Sequence, residues 1–231
     1  MTGLTEVRQE PKRGRWVALL VLCLIGAAAA ARRIIAVTHP SGSGAPDLAG
    51  PDAHFAAEAA LTLVHVVPSL LFVLLLPPQF IKALRQRHPK WHRWTGRVLM
   101  VLGIVLAASA LSLSLHPVGG VVESSATILF GCFFLLALGK AWWHIRHGRV
   151  AAHREWVTRM TAIALGVATT RPIMGVFFAT SRLTGLTPHQ FFGPAMWLGL
   201  SSTYLVAELW LLRRGRAERP RELAVESLPA R

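Results

Sequence analysis

The sequence has few charged residues and few cysteines, and these shortages exclude several classes of protein. Charged residues make up 16% of the 231 residues, whereas a soluble domain carries about a quarter. Cys23 and Cys132 both fall inside apolar runs, where cysteine behaves mostly as a small hydrophobic residue. The sequence also lacks a Cys-rich zinc pattern, a phosphate-binding glycine loop and a Gly-x-Ser-x-Gly elbow. Nothing in it supports a soluble hydrolase.

Apolar residues are abundant instead, at 53% of the chain, and the mean hydropathy is +0.45. They occur in runs of about 20 residues, the length that crosses a bilayer core of roughly 30 Å. The runs cover residues 16–31 (extended by 34–37), 55–80, 98–115, 125–143, 157–180 and 190–212. Because only helices and closed barrels satisfy their backbone polar groups inside a membrane, these runs predict an all-α bundle of about six transmembrane helices.

The first run could also be a signal peptide, because residues 27–31 resemble a cleavage region. The run is longer than the usual apolar region of a signal peptide. Arg32 and Arg33, directly after the alanines, make a poor start to a mature protein. We therefore expect an uncleaved helix, with cleavage as the alternative.

The net charge of +14 could indicate nucleic-acid binding, but the basic residues lie between apolar runs and not on one soluble face. Most of them fall in residues 1–15, in the second-to-third and fourth-to-fifth connections, and in residues 213–231. The positive-inside rule then predicts a bacterial inner-membrane protein with both terminal tails cytoplasmic, around a membrane domain of residues 16–212. Arg32 and Arg33 count against this orientation. We expect the tail 213–231 to be unstructured.

Two basic connections carry similar sequences. The first contains His92, the second contains His153, and each histidine is followed by Arg, by a nearby Trp and by a long apolar run. The similarity predicts two hairpins in parallel orientation, related by an approximate two-fold axis along the membrane normal. That axis would bring His92 and His153 to equal depth. The alternative is that both are ordinary interfacial residues, since Trp and basic residues favour the headgroup region.

Polar residues within membrane spans are costly and usually functional. His65 and Arg171 lie near the middle of the second and fifth runs, at matching depth. Pro172 is expected to kink its helix. Because Arg is always charged, Arg171 must meet an acceptor, an anion or water. We expect it to hold an anion or a cofactor carboxylate, the alternative being a tie to backbone carbonyls.

Lys140 and Glu208 lie at similar depth in the inner half of the fourth and sixth runs. They could pair, or Lys140 could extend to the cytoplasmic surface. A lone intramembrane Glu208 could instead carry protons. The remaining histidines specify no metal site by their spacing.

These residues resemble an uncharacterised family of bacterial multi-pass membrane proteins, a domain of unknown function. The resemblance covers about residues 55–212 and implies the fold but no biochemical role. It rests on His65, Gln79 and Phe80, Leu84 and Arg85, the segment from His92 to Arg97, the segment from His153 to Arg159, Thr170 to Pro172, and Ala207 with Glu208.

The chain is more loosely similar to membrane b-type cytochromes and ferric-reductase-like helical bundles. That similarity implies haem b, held by paired histidines such as His92 and His153, with His65 as a further candidate. It also implies that Arg171 binds a haem propionate and that the partner is a quinone or a redox protein. The alternatives are a transporter of a small solute or protons, using Arg171 and Glu208, and a structural membrane protein without a ligand.

Overall fold

The computed structural model describes residues 12–39 and 48–226, with side chains for 13–39 and 48–216, and these ranges contain helices but no strand. Six helices are long and apolar enough to cross a membrane. They are α1 (Lys12–Thr38), α3 (Ala59–Leu75, extended by a 3₁₀ turn at Pro77–Phe80), α5 (Pro89–Leu113), α6 (Gly120–Arg146), α7 (Val150–Thr184) and α8 (Pro188–Glu226). The predicted all-α membrane bundle is confirmed.

Two short helices accompany the spans. Helix α2 (Ala49–Ala57) and α3 are separated at Glu58, whose backbone leaves the helical region with φ −106° and ψ 44°. Helix α4 (Lys82–Arg87) lies in the connection to α5. The prediction that the second span begins at Phe55 is wrong, because apolarity alone does not reveal the break at Glu58.

Three boundaries also differ from expectation. Helix α5 begins at Pro89, since proline is favoured in a first turn, and α7 begins at Val150 after Gly148 with φ +71°. His92 and His153 therefore lie in the first turns of helices and not in loops. The expectation of an unstructured tail was wrong for residues 213–226, because α8 continues through them on a sequence rich in Arg and Glu, which favour helix, despite Gly215 and Pro220.

The spans alternate in direction, which gives the bundle two distinct ends. The basic end, as we call it, carries the start of α1, helix α4, and the α6–α7 turn at His147–Arg149. The opposite end carries α2, the α5–α6 connection and the α7–α8 turn. Helices α3 and α5 pack as one hairpin and α6 and α7 as a second in the same orientation, as the sequence repeat predicted.

Five spans surround the interior, each contacting the next in the order α1, α3, α5, α6, α7, with α7 also contacting α1. Helix α8 packs against α6 and α7. The interior is strongly aromatic; Phe72, Phe130 and Phe134 are all buried. Leucines and valines on the outer faces remain exposed, as expected of surfaces that contact lipid.

Helices α7 and α8 approach closely through small residues. A Cβ added to Gly166 would lie 2.9 Å from Leu200 Cα, and one added to Gly199 would lie 2.7 Å from Thr170 N. The Thr203 hydroxyl also donates to Thr169 Oγ1 at 2.8 Å. Such small-residue contacts are a usual way for membrane helices to pack without a hydrophobic driving force. They fix the position of Arg171, which follows Thr170 directly.

Candidate functional site

A cavity of about 250 Å³ lies between the helices. Every spanning helix contributes to its wall, and Phe55 of α2 contributes at the opposite end. Both intramembrane residues that the sequence placed at matching depth, His65 and Arg171, line this cavity. They are close enough to interact electrostatically. The structure therefore brings together two residues that are 106 positions apart in the sequence.

His65 is held in a defined orientation by α5. Its Nδ1 lies 3.0 Å from Ser109 Oγ, and the Ser109 hydroxyl donates to the Val105 carbonyl at 2.6 Å. Because the serine proton is used in that bond, we assign His65 Nδ1–H as the donor to Ser109, in the neutral tautomer. Nε2 is then left with a free lone pair. It accepts no hydrogen bond from the described residues, and His65 lines the cavity.

Arg171 brings a charge into the cavity without a direct partner. No side chain or carbonyl in the described part of the chain accepts a hydrogen bond from its guanidinium. Its side chain lines the cavity and keeps exposed surface. Arg32 repels it and Glu123 attracts it, both through space without a hydrogen bond.

A second arginine, Arg33 of α1, lines the cavity near the opposite end. Arg33 Nη1 lies 2.6 Å from Asp52 Oδ1, and Arg32 Nη2 lies 2.6 Å from Asp52 Oδ2. The Arg33 guanidinium also lies over the Phe55 ring, 4.2 Å from its centroid. One carboxylate of α2 thus serves two arginines of α1, which keeps α2 over this end of the cavity.

Glu123 completes the charged part of the wall. Its Oε2 accepts the Gly119 backbone N–H at 2.6 Å in the first turn of α6. Sequence reasoning did not single out Arg33, Asp52 or Glu123 as site residues. The available signal was Arg32 and Arg33, whose position conflicted with the positive-inside rule, and in the fold both bind Asp52.

His92 and His153 lie at the basic end, away from the cavity. They are 17 and 18 residues from Ser109 and Arg171 on their respective helices, which corresponds to about 26 Å. The two histidines are near enough to interact electrostatically. His153 Nδ1 bonds the Ala141 carbonyl at 2.8 Å, whereas His92 Nδ1 is buried without a partner. The structure thus places the four proposed cofactor-binding residues in two groups, His65 with Arg171 and His92 with His153.

Glu208 is bound by residues of α7 and α8. Arg159 Nε donates to its Oε1 at 2.6 Å and Arg159 Nη2 to its Oε2 at 3.2 Å. The Tyr204 hydroxyl also donates to Oε1 at 2.6 Å. The suggested pairing of Glu208 with Lys140 was wrong, because Arg159 occupies the carboxylate. Lys140 is exposed on α6, beside Trp143 in a shallow groove.

The arrangement of potential metal-ligating side chains gives no support for a metal site. Within the described residues, no group of three or more His, Cys, Asp or Glu side chains is placed to hold a metal ion. Two histidines of the opposite end serve in local contacts, since His54 Nε2 lies 2.8 Å from the His116 carbonyl oxygen.

Comparison with known proteins supports the multi-pass membrane assignment. Residues 62–211 match the model of a family described as "Predicted membrane protein (DUF2306)". No curated protein and no solved structure matched the chain. The matched region begins in α3 and ends in α8, so it includes His65, Arg171 and both histidines of the basic end. With about two thirds of its length matched, the chain belongs to this family of membrane proteins.

Proposed function

We propose that this integral membrane protein binds a small ligand in the cavity between its helices, through a head group that carries negative charge or electron-rich oxygen. The observation that carries the proposal is the Arg171 guanidinium, which lines the cavity without a hydrogen-bonded partner in the described chain. An uncompensated charge away from bulk water is costly. A bound anion or carbonyl oxygen would supply the missing acceptor.

His65 adds a second type of contact to the same wall. Arg171 can only donate hydrogen bonds, whereas His65 Nε2 in the assigned tautomer can accept one. A head group with both an acceptor oxygen and a hydroxyl would use both residues. A protonated carboxylic acid has both groups, and reduction of a quinone to a quinol converts its carbonyl oxygens into hydroxyls, so quinone-linked redox activity is one form of the proposal.

Haem b is a second candidate, favoured by the histidines of the basic end. His153 donates Nδ1–H to a backbone carbonyl, the usual outer contact of a metal-bound imidazole, and this leaves Nε2 available. His92 lies within electrostatic range and has a buried Nδ1 without a partner. Two neutral imidazoles are a suitable axial pair for a haem, which would supply one-electron transfer. We therefore assign His92 and His153, and not Arg171, to a haem.

The cavity itself fits haem less well. Its volume of about 250 Å³ is below the roughly 300–1,000 Å³ of pockets for drug-sized ligands, and haem is larger than those ligands.

We also propose that the protein lies in the bacterial inner membrane with both termini cytoplasmic. This orientation directs the basic end inward and the charged part of the cavity outward. Proton transport through Glu208 receives no support from its bonds to Arg159 and Tyr204.

The experiment for the cavity is extraction of small molecules from purified protein, followed by mass spectrometry, for wild type, Arg171→Gln and Arg182→Gln. Arg182 is an exposed arginine of the same helix that does not line the cavity, so it is the matched control. We expect one compound to co-purify with wild type and with Arg182→Gln but to be lost from Arg171→Gln. Equal recovery from all three proteins would contradict the role of Arg171.

The experiment for haem is an absorption spectrum of protein from haem-replete cells, air-oxidised and then reduced with dithionite. We expect sharp reduced bands that disappear in His92→Ala and His153→Ala but persist in His189→Ala, whose histidine lies at the other end of the bundle. Colourless wild-type protein would remove haem from consideration and leave the cavity proposal unaffected.

A further inference from the structure

The polarity of the cavity lining changes along the bundle axis. On α7 its lining extends from Ile163 to Met174, eleven residues or about 16 Å. The charged lining residues, Arg33, Glu123 and Arg171, all lie toward the opposite end of the bundle, together with Ser114 and His116. The residues deeper in the membrane are apolar, among them Phe72, Val73, Phe134, Ile163, Ala164 and Leu200. Helices α1, α3, α5 and α6 each change from polar to apolar in this direction, whereas α8 lines the cavity with apolar residues only, so the cavity is amphiphilic.

Among the described residues, the charged end has an excess of positive charge. Three arginines, Arg32, Arg33 and Arg171, meet there with two carboxylates, those of Asp52 and Glu123. Asp52 is shared by the two arginines of α1, and Glu123 is already held by the Gly119 N–H. One acidic group on a ligand would balance the charge. A neutral head group would leave the excess in place.

The cavity also has a small volume. A volume of about 250 Å³ is small for a ligand, and a lipid with two acyl chains would need to leave at least one chain outside. From Arg171 to Ile163 the cavity extends about 12 Å, so it holds the first part of one extended chain, and the rest of a hexadecyl chain would lie beyond it. Phe72, Phe134 and Ile163 are buried and would contact such a chain on several sides.

We infer that the ligand is a single-chain amphiphile with an acidic head group, a carboxylate or a phosphate. Its head binds Arg171 beside Arg33 at the charged end, and its chain extends between Phe72, Phe134 and Ile163 toward the membrane centre. Arg suits either acid because its planar guanidinium donates two parallel hydrogen bonds. This inference rests on the proposed function, since it specifies which ligand occupies the same cavity.

The test is titration of the purified full chain in mild detergent, with bound ligand measured by native mass spectrometry. The probes are hexadecanoic acid, hexadecyl phosphate, hexadecanol and decyl-benzoquinone. We expect one acid per chain and at least about tenfold weaker binding of the alcohol, because a hydrogen bond to a charged group is lost. The ratio of the two acids then identifies the source of the head group.

Two variants with matched controls separate the head from the chain. Arg171→Gln should abolish the preference for acid over alcohol, whereas Arg182→Gln should keep it. Ala164→Trp places bulk at the inner end and should shift the preference from hexadecanoic acid to octanoic acid. Ala108→Trp, on an exposed position of α5 outside the cavity, should leave it unchanged. A monodisperse elution profile confirms that each variant is folded.

The outcomes distinguish this inference from the proposed function. Hexadecanol binding as tightly as the acid would overturn the acidic head group, and so would tighter, Arg171-dependent binding of the quinone; either would leave the cavity as a ligand site. An unchanged chain-length preference in Ala164→Trp would overturn the position of the chain. If no probe bound and no compound co-purified with wild type, both the inference and the proposed function would fail.

Discussion

Replacing Gly199 with alanine is expected to force α7 and α8 apart and destabilise the bundle. The new Cβ would meet Thr170, 2.7 Å from its backbone N and 2.8 Å from its Cα, besides its hydroxyl oxygen. Real Cβ contacts are essentially never shorter than 3.0 Å. Because the obstructing atoms belong to a helix backbone, no side-chain rotation can relieve the contact and the helices themselves must move.

The magnitude follows from two opposing effects. Overpacking costs about 1–3 kcal/mol, and a contact with backbone lies at the upper end of that range. The higher helix propensity of alanine returns about 1 kcal/mol, so the net loss is about 2 kcal/mol. Gly175 is the matched control, because a Cβ there has nothing within 4 Å. Gly175→Ala should therefore gain up to about 1 kcal/mol, which separates the two variants by about 3 kcal/mol.

The assay is reversible unfolding in mixed micelles, with the free energy of unfolding measured for wild type and both variants. Similar stabilities for Gly199→Ala and Gly175→Ala would refute the close α7–α8 contact. Since Arg171 follows Thr170 directly, Gly199→Ala should also weaken binding of an acidic probe, whereas Gly175→Ala should not.

Two further predictions concern ion pairs. Arg159→Gln and Glu208→Gln should each lower the free energy of unfolding by about 2 kcal/mol, because hydrogen bonds to charged groups contribute about 1.5–3 kcal/mol each. The double variant should lose little more than the worse single variant, because both substitutions remove the same interaction. Strictly additive losses in the same unfolding assay would show that the two residues are not coupled. Asp52→Asn should release Arg32 and Arg33 and lower the free energy of unfolding by about 1–3 kcal/mol. It should also tighten the binding of hexadecanoic acid several-fold in a titration, because the charge of the two arginines is no longer offset. An unchanged affinity would show that Asp52 does not offset the charge of the cavity.

The agreement between sequence and structure is best for properties that depend on position along one helix. The number of spans, the two hairpins of like orientation and the shared depth of His65 and Arg171 follow from counting residues, because each helical residue advances about 1.5 Å along the span. Agreement is poorer at element ends. The break at Glu58 and the continuation of α8 past residue 213 depend on backbone conformation, which apolar periodicity does not report.

The sequence by itself therefore determined that this chain is a six-span helical membrane protein with a histidine and an arginine at one depth. Only the tertiary structure decided which polar residues meet. It placed Arg33 and Glu123 on the wall of one cavity, with Asp52 bound to Arg33, and it paired Glu208 with Arg159 and not with Lys140. It also put His92 and His153 about 26 Å from Ser109 and Arg171 along their helices. The physical reason is that depth fixes one coordinate of a side chain, whereas the rotation of each helix and its choice of neighbours arise from packing between helices, as at Gly166 and Gly199.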